Sequence, residues 1–80
     1  MDLANNFHTR LKNLRTSRNL TQKQITDATG MTVTGYQNYE SARRKPNFDA
    51  IIALADFFNV STDYLLGRTD VPQVAKGAAQ

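Results

Sequence analysis

Eighty residues with a net charge of +3 and no cysteine make one small domain, which neither disulfides nor a thiolate zinc site can hold together. No apolar run reaches the length of a bilayer span and the N-terminus lacks a signal-peptide pattern, so a soluble cytoplasmic domain is expected. The positive charge is lopsided: residues 1–45 hold eight Lys/Arg against three carboxylates, and residues 46–80 hold two against four. A basic half of this kind suits a polyanion, or is merely a solvated surface.

In chain order, a first helix is predicted from Asn5 or Asn6, a plausible N-cap, to about Arg18. Phe7, Leu11 and Leu14 form its apolar stripe. His8 has no second His or Cys to share a metal with and is expected to lie exposed. Leu20 re-enters the core just ahead of Thr21, where a hydrophobic staple would sit.

Thr21 to Glu40 reads as helix, turn and helix. Thr21 is placed to cap a helix over 22–29 anchored by Ile25, with Thr29 and the methyl of Thr26 assisting. Gly30 supplies a left-handed turn. Thr32 caps a second helix over about 33–41, which buries Tyr36 and part of Tyr39 and leaves Val33, Thr34, Gln37 and Asn38 on its other side. Gly35 within that helix costs about 1 kcal/mol relative to Ala; it marks either a close approach to the backbone or a tolerated position. Two short helices joined by a Gly turn describe a helix-turn-helix.

Ser41 to Asn47 is a loop carrying Arg43, Arg44 and Lys45 ahead of Pro46. Asn47 caps a helix over 48–58 with Ile51, Leu54, Ala55 and Phe58 at helical spacing. Phe48, Ile52 and Phe57 widen the stripe, so this helix is expected to be the most buried. Ser61 caps a short fifth helix through Leu65–Leu66, stopped by Gly67. The aperiodic remainder, 68–80, reads as a flexible tail behind a domain over 1–67. The architecture is all-α, five short helices around one core.

On the outer side of the 33–41 helix, Gln and Asn can pair bidentately with adenine, Thr can bond either way and Val can cover a thymine methyl. No Arg or Lys lies on that side, which predicts an A/T bias in any contacted half-site. Arg43, Arg44 and Lys45 would follow a phosphate strand, positioning without specifying. Thr32 is a phosphate candidate as well as a cap, and Arg10 and Arg18 are weaker ones. With one His, no Cys, no Gly-rich phosphate loop and no paired carboxylates, neither catalysis, a metal nor a cofactor is expected, and no small-molecule substrate is evident.

The pieces LKNLRTSRNLTQKQI, the Gly30 turn, Tyr39–Glu40, the basic loop ending at Pro46, and ALADFFNVSTDYLLGRTD resemble, in this order and spacing, the lambda-repressor-like (Cro/CI, Xre-type) helix-turn-helix proteins of bacteria and phages. The resemblance covers Leu11 to about Asp70. It implies a five-helix domain whose third helix enters the major groove of duplex DNA while the second crosses the backbone. Carried over by position, Val33, Thr34 and Asn38 would read bases with Gln37 at the edge, Gln22 would place its amide on a phosphate, and Arg15 and Glu40 would form an internal ion pair. A sequence-specific regulator is implied, a repressor acting as a homodimer on a palindromic operator, of phage, mobile-element or bacterial origin. The alternative is a protein-interaction adaptor or antitoxin-type module of the same shape. Three positions depart from the family: Thr26 stands where Ala is usual, Ser41–Ala42 replaces a frequent Asn-Gly, and Gly35 takes a position that more often carries a side chain.

Overall fold

The computed structural model describes residues 3–72, with five helices among them: α1 (Leu3–Ser17), α2 (Gln22–Thr29), α3 (Val33–Glu40), α4 (Phe48–Phe58) and α5 (Thr62–Leu65). Side-chain oxygens start four of them. Thr21, Thr32, Asn47 and Ser61 have extended backbones, and each accepts from the N–H three residues on, at 3.1, 3.0, 2.8 and 2.9 Å. At Thr21 the bond is reciprocal, because its own N–H donates to Gln24 Oε1 at 2.8 Å and completes a capping box. Helix α1 begins earlier than the sequence suggests. Asn5 and Asn6 lie inside it, since Asn is a preferred cap yet costs too little within a helix to stop one.

Every helix ends on one left-handed residue: Asn19 (φ 56°), Gly30 (80°), Ala42 (66°), Asn59 (58°) and Gly67 (80°). After α1, α3, α4 and α5 the next residue donates back to the carbonyl five earlier, from Leu20 to Arg15, Arg43 to Asn38, Val60 to Ala55 and Arg68 to Asp63. This is the Schellman pattern. It turns Leu20 and Val60 inward and sends Arg43 outward. Ala42 is the residue among the five whose Cβ opposes the conformation without the compensation Asn or Gly offers.

Phe7, Leu11, Ile25, Tyr36, Leu54, Phe58 and Leu65 are fully buried at the centre. Helix α1 packs on α3 and α5, α2 on α3 and α4, and α4 on α5. Thr26 is buried and its hydroxyl donates to the Lys23 carbonyl at 3.1 Å, so it needs no partner across the helix contact; Thr29 is only half-buried. Helix α4 is less enclosed than its composition predicts. Phe48 and Ile52 are 83% and 50% exposed, because both lie on its outward face with Asp49 and Asp56. An apolar side chain widens a stripe on paper, but the outward face of α4 is left uncovered.

His8 is buried, contrary to the exposed position expected for it. Its ring meets Phe7 edge-on, and its Nδ1 bonds the carbonyl oxygen of Tyr39 in the last turn of α3. Past Gly67 the chain stays attached through Pro72. Arg10 stacks 4.1 Å over the Tyr64 ring and reaches Asp70 at 3.3 Å, and the Ser61 N–H donates to the Pro72 carbonyl at 2.8 Å. The rest of the expected tail, 73–80, lies outside the described residues. No helix among the described residues is long and apolar enough to cross a membrane, and none of their His, Asp and Glu side chains group in a way that could hold a metal.

Candidate nucleic-acid interface

The cap at Thr32 and the Schellman turn at Ala42 expose one side of α3 between them. Beside it runs an open groove of about 380 Å³, bordered by Lys12 from α1, Gln22 from the first turn of α2, Thr34, Gln37 and Asn38 from α3, and Arg43 from the loop. The structure thus brings together Gln22, three of the four base-reading candidates and one residue of the basic loop. Val33 is 40% exposed but lies off the groove, one position into α3. Arg44 and Lys45 are exposed further along the loop.

Thr32 accepts from the Gly35 N–H, which leaves its hydroxyl proton to be given elsewhere. A Cβ at position 35 would come within 2.9 Å of that hydroxyl oxygen. Glycine here keeps the cap seated, so the close approach lies within the helix itself.

Lys12 was not among the sequence candidates. The available signal was its position: Lys12 precedes Arg15 by three residues and so lies one step further round α1 from the edge that meets α3. His8 and Arg15, two turns apart, mark that edge by bonding Tyr39 and Glu40 respectively.

Glu40 also lines the groove, and Arg15 clasps it from outside the lining, with Nε to Oε2 at 2.6 Å and Nη2 to Oε1 at 3.1 Å. Its Nη1 donates to the Leu20 carbonyl at 3.1 Å. Tyr36 Oη donates to Glu40 Oε2 at 2.6 Å, and Gln22 Nε2 to Oε1 at 3.3 Å. The Glu40 side chain is only 6% exposed and that of Arg15 18%. Burial by itself would raise the Glu40 pKa, but the bonds from Arg15 and Tyr36 outweigh it and hold the carboxyl below its ordinary range. Burial first, then the bond to Glu40, pushes the Tyr36 phenol far above its ordinary value. Arg15, bonded to Glu40, is held charged still more firmly.

The fold and this groove define a helix-turn-helix module, with α2 and α3 as the motif and α1 bracing it. Residues 11–65 match the helix-turn-helix family of Cro/CI (Xre) type, and the chain belongs to that family. It is 40% identical over 63 residues to the uncharacterized HTH-type transcriptional regulator YobD of Bacillus subtilis, an alignment covering 79% of this chain and 56% of that protein. It is 39% identical over 62 residues to the HTH-type transcriptional regulator ImmR of the same organism, covering 78% and 49%. It is 39% identical over 59 residues to the cryptic phage CTXphi transcriptional repressor RstR of Vibrio cholerae, covering 74% and 53%. The chain thus spans about half the length of the curated relatives it matches. No solved structure matches it significantly.

Proposed function

We propose that the domain binds double-stranded DNA with α3 in the major groove and regulates transcription, as a repressor, from a palindromic operator met by a homodimer. The observation that carries this reading is the groove along α3, where amide and hydroxyl side chains lie between Lys12 on one helix and Arg43 on the loop. Thr34, Gln37 and Asn38, together with Val33 at the start of the same helix, read base edges. Gln22, Thr32, Arg43, Arg44 and Lys45 hold phosphates. The names of the relatives support regulation, and the name of RstR, a transcriptional repressor, supports repression. Two-fold half-sites about one helical turn apart would match a dimer.

The test is selection from random duplexes, with the winners titrated across a salt series. Enrichment of a short, A/T-biased palindrome, lost on changing Val33, Thr34 and Asn38 to Ala, is the expected result. Changing Arg43, Arg44 and Lys45 together to Ala is expected to weaken all sequences alike and to flatten the salt slope by about one for each phosphate contact removed. Unchanged binding by that variant overturns the phosphate assignment, and absence of any duplex binding favours a protein-interaction adaptor.

A further inference from the structure

Glu40 is the single carboxylate among the residues lining the groove. If phosphates run there, as proposed above, a negative charge in the groove wall has the wrong sign. Its surroundings answer that difficulty. Arg15 approaches from the side of α1, away from the groove lining, and clasps both carboxylate oxygens, while Tyr36 and Gln22 donate to the same two atoms. The guanidinium does not border the groove itself.

We infer that Arg15 serves DNA binding as an electrostatic mask: it touches no DNA, and it cancels the Glu40 charge beneath the phosphate path. The inference rests on the DNA-binding reading. Without the mask, Glu40 would repel the incoming strand and compete with it for Lys12 and Arg43, the two cations of the same groove. Gln22 has a double part. One amide hydrogen is committed to Glu40, and the other is left for a phosphate, so the masked carboxylate also fixes the direction in which that amide points.

Four proteins decide the matter: the parent, Arg15→Met, Glu40→Gln and the double variant. Each is titrated with a selected duplex and with a random-sequence duplex of equal length, across salt, at a temperature where circular dichroism shows it folded. Folded Arg15→Met is expected to bind about tenfold more weakly at low salt, equivalent to about 1.4 kcal/mol, with the loss shrinking as salt rises. Glu40→Gln is expected to match or exceed the parent, and the double variant to return to the Glu40→Gln level. A purely structural pair predicts weaker binding by Glu40→Gln, which leaves Arg15 buried without its carboxylate. That result, parent-like binding by folded Arg15→Met, or a double variant that binds no better than Arg15→Met, overturns the inference. Should Arg15→Met not fold, Arg15→Lys retains the charge without the fork; parent-like affinity is then expected, and a tenfold loss overturns the inference. Failure of the parent to bind either duplex rejects the DNA reading itself, and is told apart by the silence of all four proteins.

Discussion

The hydroxyl of Tyr36 donates to Glu40 Oε2 across 2.6 Å, one turn along the same helix, and so joins a fully buried side chain to the carboxylate in the groove wall. The bond is to a charged acceptor inside the domain. Tyr36→Phe is therefore expected to cost about 1.5–3 kcal/mol. Thermal unfolding checks it, with a fall in Tm of about 4–8 °C for each kcal/mol in a domain of this size.

The same cluster sets the pH range. Glu40 is held below its ordinary pKa, so its contribution is complete above the unfolded value of about 4.3 and is lost as pH falls through the lower folded value. Tyr36 is raised, so its contribution is complete below about pH 10 and is lost as pH rises through the folded value above that. Denaturant midpoints measured from pH 2 to 11 are expected to be flat in the middle and to fall at both ends. In Tyr36→Phe the alkaline fall is expected to be reduced.

Ala42 holds a left-handed turn that glycine adopts freely. Ala42→Gly is expected to stabilise the domain by about 0.5–1 kcal/mol, the gain from relieving the Cβ exceeding the added freedom of the unfolded chain. A lower Tm for this variant would show that the turn is not strained.

The two glycines among the left-handed stops offer a controlled comparison. A Cβ on Gly30 would meet nothing within 4 Å, whereas one on Gly67 would fall 2.4 Å from the Asn6 Cβ. Gly30→Ala is expected to cost about 1–2 kcal/mol from backbone conformation alone. Gly67→Ala is expected to cost more by about 1 kcal/mol or above, since α1 must shift as well. Equal losses in parallel denaturant titrations would contradict the contact.

Burial separates the phenylalanines of α4. Phe48→Ser is expected to change stability by no more than about 0.5 kcal/mol, as for other exposed sites. Phe58→Ala is expected to cost about 3–5 kcal/mol.

The sequence carried the helix starts well, because Thr21, Thr32, Asn47 and Ser61 each act through the bond that makes them preferred caps. It carried Phe48 and His8 badly, for one shared reason. Periodicity says which residues lie on one side of a helix, but not how wide a side its neighbours cover. Helix α1 is covered beyond its Phe7–Leu11–Leu14 stripe, so His8 goes inside; α4 is covered less than its apolar content suggests, so Phe48 stays outside. The groove was legible in its α2, α3 and loop residues, which lie within one continuous stretch. Lys12 reaches it from another helix, and only the packing of α1 on α3 brings it there.

The five left-handed stops also bear on how the chain folds. Each reverses the backbone locally, within hydrogen bonds between near neighbours, so the direction of the next helix is fixed by contacts close in sequence. A helical domain assembled this way closes mostly short loops on its way to the native state. Refolding in the microsecond-to-millisecond range follows, with the clasp of α1 on α3 among the few contacts that must await a longer closure.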